Sequence, residues 1–95
     1  MEGRHTLKVA GGKLLKIRIN VDGEKIKDVE INGDFFAHPE EAIERIEDAI
    51  KGCGKKDVGD RIRETISETG AILYGIDAES ITKAISEAWD GMQAA

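Results

Sequence analysis

At 95 residues the chain has room for one domain with a single modest core, spanning 1–95, and not for separate catalytic and substrate domains. It is 40% hydrophobic and 35% charged, no apolar run reaches the roughly 18 residues of a membrane span, and the single cysteine excludes an internal disulfide or a cysteine-rich metal site. The net charge of −5 divides unevenly: seven Lys/Arg against three acids over residues 1–27, then seven against sixteen over 28–95, which makes the longer segment a poor binder of nucleic acid.

Taken in chain order, Met1-Glu2-Gly3-Arg4-His5 lacks the apolar segment of a signal peptide, and with one cysteine the expected location is cytoplasmic. Thr6 to Val9 alternates as a short strand, and Gly11-Gly12 marks a turn. Leu15, Ile17, Ile19 and Val21 then alternate with Lys16, Arg18 and Asn20, the period of a half-buried strand. The basic residues of this N-terminal part read as solvated charge on an open sheet face, with an acidic partner as the other possibility. Asp22-Gly23 signals a hairpin. Ile26 is out of phase with Val29 and Ile31 on the returning strand. One extra residue, at the turn or near Lys27-Asp28, predicts Ile17 opposite Val29, Leu15 opposite Ile31 and Lys16 opposite Glu30.

Val29 to Glu41 forms the joint between sheet and helices and holds both Phe residues of the chain. A first helix is predicted from Pro39 to about Lys51, with His38 standing in as its N-cap and Ala42, Ile43, Ile46, Ala49 and Ile50 as its apolar stripe. Gly52 caps it, and Gly52 to Lys56 reads as a mobile loop. Asp57 caps a second helix with Val58, Ile62 and Ile66 spaced four apart, ending near Gly70. Ala71 to Ile76 is the most apolar run and reads as buried, as a short strand or a connector. Asp77 caps a third helix whose stripe runs Ile81, Ala84, Ile85, Ala88, Trp89 and Met92. Three strands followed by three helices predict an α+β fold, the helices packed on one face of a three-stranded antiparallel meander.

Candidates for chemistry are few. Gly11-Gly12-Lys13 has glycines before a lysine, as a phosphate loop does, but Leu14 and a strand follow where Ser/Thr and a helix belong. Lys13 is then a charge at a hairpin tip, available to a partner's site. Cys53 sits between two glycines, yet just past a helix C-terminus, which raises a thiol pKa, while Lys55 and Lys56 act the other way. His5 and His38 have no second ligand at metal spacing. Asp34, between Gly33 and Phe35-Phe36, reads either as a turn residue or as a contact. Two adjacent aromatics do not easily both face a core, and an exposed Phe is a typical docking anchor. No catalytic residues and no metal ligands emerge; the candidate residues are for partner binding, namely Lys13, Gly33, Asp34, Phe35, Phe36 and His38.

The blocks Gly11-Gly12-Lys13-Leu14-Leu15-Lys16-Ile17, Ile26 to Phe36 with its Gly33-Asp34-Phe35-Phe36 ending, and His38-Pro39-Glu40-Glu41-Ala42-Ile43-Glu44 with Gly52 after the helix resemble the C-terminal accessory domain of lipoate–protein ligases. Residues 70–81 are similar to that domain's closing element. Because Met1 stands directly before the domain, the chain is most similar to the free-standing small subunit of archaeal two-component ligases. The resemblance implies a SufE/NifU-like architecture and a heterodimer with a catalytic subunit. That complex would bind ATP, Mg2+ and lipoate, form lipoyl-AMP, and pass the lipoyl group to a lysine of lipoyl-domain proteins. This chain alone would bind no cofactor, supply no nucleophile and meet neither nucleic acid nor membrane. The shared architecture also implies the alternative, a sulfur-acceptor or scaffold protein using Cys53.

Overall fold

A computed structural model describes residues 1–9, 11 and 13–94, the side chains of 93 and 94 excepted. Gly12, half of the expected turn, lies outside the described residues. Strands β1 (Glu2–Lys8), β2 (Leu14–Asp22) and β3 (Lys25–Gly33) form an antiparallel meander. A three-stranded sheet and three helices, α1 (Ala42–Ile50), α2 (Val58–Thr69) and α3 (Ala78–Ala94), make the fold α+β as expected. The alternation of β2 sends Leu15, Ile17, Ile19 and Val21 inward under the helices. There α3 lies across β1 and β2, α1 runs beside β3, and α2 bridges the other two helices.

The register differs from the sequence expectation by two residues. Ile17 faces Ile31, Ile19 faces Val29, Leu15 faces Gly33, and Glu30 lies opposite Arg18 rather than Lys16. The turn is the cause: the loop residues are Gly23-Glu24, one position later than Asp22-Gly23, which moves the pairing by two, with Gly23 at φ +65°. The extra residue expected near Lys27-Asp28 is present as a bulge at Lys27, so that Val21 faces Ile26 but Asn20 faces Asp28. The bulge is what lets Ile26 and Val29 both be buried despite their phase. An even displacement keeps every side chain on its expected face.

The outer edge of β3 is covered. The Ile31 amide donates to Glu47 Oε2 of α1 at 2.8 Å, and Ile26 exchanges backbone hydrogen bonds with Gly52 and Cys53 at 2.8 and 3.0 Å. The Gly52–Cys53 stretch, expected to be a mobile loop, is thus pinned to the bulge. Helix ends follow their chemistry. Gly70 closes α2 in the left-handed region, and at α3 the Ser80 amide donates to Asp77 Oδ1 at 2.7 Å while the Asp77 amide donates to Ser80 Oγ at 3.0 Å. Asp57 precedes α2 inside a 3-10 turn at Lys55–Asp57 and makes no side-chain cap.

The largest departure is a second sheet. Strands β4 (Phe36–His38) and β5 (Ile72–Tyr74) pair as an antiparallel ribbon, Phe36 facing Tyr74 and His38 facing Ile72. Pairing holds His38 extended, the conformation favoured before a proline, so α1 starts at Ala42 with Glu41 at its N-cap. Neither the helical start at Pro39 nor the capping role of His38 is realised.

Candidate functional site

The ribbon is built so that alternate residues point opposite ways. Ala37 and Leu73 are half-buried, and Leu73 packs on the core; Phe36, His38, Ile72 and Tyr74 face out. Phe36 is 76% exposed, Tyr74 54% and Ile72 51%. Apart from Met1 these are the large hydrophobic residues that stand exposed among the described residues. Expecting the Ala71–Ile76 run to be buried was right for Ile76 alone. Two of its apolar side chains lie on the outer face instead.

Beside the ribbon the β1–β2 loop meets the Gly33–Phe36 joint. Lys13 O accepts from the Val9 amide at 2.7 Å, which closes the loop, and Leu14 O accepts from the Asp34 amide at 3.0 Å, which ties the joint to the base of β2. Gly33 is obligatory there, since a Cβ would sit 2.0 Å from the Leu14 carbonyl oxygen. Gly75 ends β5 at φ +90°, and its missing Cβ would lie 3.3 Å from Lys13 Cγ and 3.7 Å from Phe35 Cβ. Loop, joint and ribbon therefore converge on one point. A cleft of about 480 Å³ opens between them, lined by Gly11, Lys13, Gly33, Asp34, Phe35 and Phe36.

Five of the six sequence candidates line that cleft, and His38 stands on the outer face of the adjoining ribbon. The two aromatics divide: Phe35 is half-buried against the core and Phe36 is open to solvent. No ion pair to Lys13, and no hydrogen bond to the Asp34 carboxylate, is found among the described residues. Ile72 and Tyr74 were missed from sequence. The signal that finds them is the pairing of β4 with β5, which three-residue strands do not reveal by periodicity.

Other features resolve structurally. Arg18 sits at the centre of the outer sheet face with Glu2 at 3.2 Å, Asp28 at 3.4 Å and Glu30 at 3.1 Å. Its guanidinium holds Glu30 below the ordinary carboxylate range, chiefly by hydrogen bonding. His5 pairs with Glu87 and fastens β1 to α3. Burial pushes the Cys53 thiol up, outweighing Arg61, so the expected direction holds with burial as its leading cause. A cleft of about 500 Å³ at the opposite end of the sheet is lined by Gly23, Glu24, Lys55, Lys56 and Trp89, with Lys55 paired to Asp90. No three His, Cys, Asp or Glu side chains among the described residues gather as metal ligands, and no helix is long and apolar enough to cross a membrane.

Fold and sequence together define a lipoate protein ligase C-terminal domain, and the chain belongs to that family. The model of the bacterial lipoate protein ligase C-terminus matches residues 2–85. Lipoate-protein ligase A subunit 2 of Thermoplasma acidophilum is 36% identical over 72 residues, 76% of each chain. A solved structure from an archaeal lipoylation system, a bi-partite lipoate protein ligase and its E2 lipoyl domain from Thermoplasma acidophilum, matches with a TM-score of 0.79. That match has 33% identity and covers 88% of this chain and 93% of that one.

Proposed function

We propose that this chain is the accessory subunit of a two-component lipoate–protein ligase, docking on a catalytic subunit and enabling it to activate lipoate. The observation that carries the reading is the apolar outer face of the ribbon, where Phe36, Tyr74 and Ile72 stand exposed on a chain that is 35% charged. Exposed aromatics clustered beside a cleft are suited to a desolvated anchor. The catalytic subunit binds lipoate, ATP and Mg2+ and later passes the lipoyl group to a lysine of a lipoyl domain. Forming lipoyl-AMP brings a carboxylate and a triphosphate together, and both must be aligned, charge-compensated and kept from water. A small rigid domain seated on the site serves those needs without a nucleophile of its own. Family membership and the likeness to a bi-partite ligase support the partner, and the ribbon supports the docking surface.

The test is pyrophosphate release from lipoate and ATP by the catalytic subunit, with and without this chain, beside transfer from preformed lipoyl-AMP. Stimulation of release is expected. An unchanged release rate removes the accessory reading, and dependence of transfer alone keeps the partner but removes the role in activation.

A further inference from the structure

Lys13 is the cation of the cleft, and its setting differs from that of a free surface lysine. The loop behind it is closed by the Val9–Lys13 backbone bond, and its stem lies over Gly75, where a Cβ would approach Lys13 Cγ to 3.3 Å. A stem packed this way keeps the ammonium at the rim while its methylenes stay against the domain. Like several other lysines, Lys13 has no carboxylate partner among the described residues, and its place in the cleft lining beside Phe36 is what sets it apart. Lys13 leads directly into β2, so no helix N-terminus backs it, and it acts as a point charge rather than as part of a phosphate cradle. The exposed apolar face lies alongside, and docking it would strip water from the same rim.

We infer that Lys13 is a catalytic residue supplied in trans: once the ribbon is seated, its ammonium contacts the polyphosphate of ATP bound by the catalytic subunit. This rests on the accessory-subunit reading. In the activating step the lipoate carboxylate oxygen bonds to the α-phosphorus. The bond from that phosphorus to the oxygen bridging to the β-phosphate breaks, and pyrophosphate leaves with the electron pair. Lys13 keeps its protons throughout and donates to the oxygens on which negative charge accumulates. It plays the part that a cationic finger from a partner plays in other phosphate chemistry.

The experiment measures pyrophosphate release by the reconstituted complex with Lys13→Ala, Lys13→Arg and, as a control for net charge on the solvated sheet face, Lys16→Ala chains, each titrated to saturation, with subunit affinity measured separately. Removing a donor in a water-excluded site costs on the order of 10²–10³ in kcat. At a partly open rim the expected loss for Lys13→Ala is at least about tenfold in kcat. Lys13→Arg should recover most of the rate, Lys16→Ala should be near wild type, and transfer from preformed lipoyl-AMP should be unaffected. A full rate for Lys13→Ala overturns the inference. So does a loss that disappears when more subunit is added, which makes Lys13 a docking residue only, or one that Lys16→Ala reproduces, which makes it an effect of overall charge. If the wild-type chain fails to stimulate release, the accessory reading itself fails and the inference falls with it, an outcome distinct from the other three.

Discussion

The molecule has two sheets, and each turns one face to solvent. On the three-stranded sheet that face carries Glu2, Arg4, Lys16, Arg18, Asp28 and Glu30, with Arg18 bonded to three carboxylates. On the ribbon it carries Phe36, Ile72 and Tyr74 around one histidine. Both faces alternate with an inner face that packs on the same core. Backbone geometry is thus the same, and only the neighbour on the outer side differs. Charge on the first face suits water as its permanent neighbour. Apolar side chains on the second gain nothing from water and about 25 cal/mol per Å² from a surface that covers them. The proposed docking surface thus lies at one end of the molecule, with the broad sheet face as its solvated back.

Mutations from the two sheets should separate folding from docking. The largest effect is expected from the inner side of the three-stranded sheet. Ile19, fully buried, should cost about 2–5 kcal/mol of stability as Ile19→Ala, read as a lowered denaturation midpoint. Next comes the ribbon's outer face. Phe36→Ala and Tyr74→Ala should each weaken binding to the catalytic subunit by about 2 kcal/mol, some thirtyfold, by calorimetric titration. Their midpoints should stay near wild type because neither side chain is buried. A large loss of stability with unchanged binding would reverse the comparison and make the ribbon part of the fold alone.

A smaller effect belongs to the cap joining ribbon to α3. Asp77→Ala removes the bond to the Ser80 amide and should cost about 1 kcal/mol. Hydrogen bonds from Ser80 hold the Asp77 pKa below its ordinary value, as Arg18 does for Glu30. A depressed carboxylate contributes stability that is complete above its unfolded pKa and lost as pH falls through the folded one. Stability should therefore decline on acidification below the ordinary carboxylate range, and less steeply in Asp77→Ala. On the solvated sheet face, Arg18→Gln should change stability little and leave subunit affinity alone. A docking defect there would extend the interface onto the charged sheet.

The same contrast explains what the sequence disclosed. Strand β2, the helical stripes and the Gly33 joint are written in residue types whose local chemistry decides their structure. Ile81, Ala84, Ile85 and Trp89 are buried as their spacing requires. The ribbon is not legible in that way. An apolar run such as Ile72-Leu73-Tyr74 has the same composition whether it faces a core or a partner, and three residues are too few for a period to distinguish them. The strand register failed for a related reason. Placing the turn one residue later, at Gly23-Glu24, shifts pairing by two, and the expected and observed registers both keep the apolar residues on one face, so hydrophobic pattern alone cannot choose between them.

The smallest effect is expected at Cys53, the residue on which a sulfur-acceptor role would depend. Its backbone has structural work, since the carbonyl accepts from the Ile26 amide at 3.0 Å, but a substitution that keeps the chain path leaves that bond in place. Its thiol is half-buried near the Ala49 carbonyl, and burial raises its pKa above the ordinary 9.0. The thiolate, the nucleophilic form, is therefore scarce at neutral pH and grows only as pH rises toward that higher value. Iodoacetamide should alkylate Cys53 more slowly than glutathione at pH 7, with the rate climbing at a pH above that of a free thiol. Cys53→Ser should leave pyrophosphate release and subunit affinity unchanged. Rapid alkylation at neutral pH, together with loss of activity in a folded Cys53→Ser chain, would move the chemistry away from the ribbon end and onto the thiol.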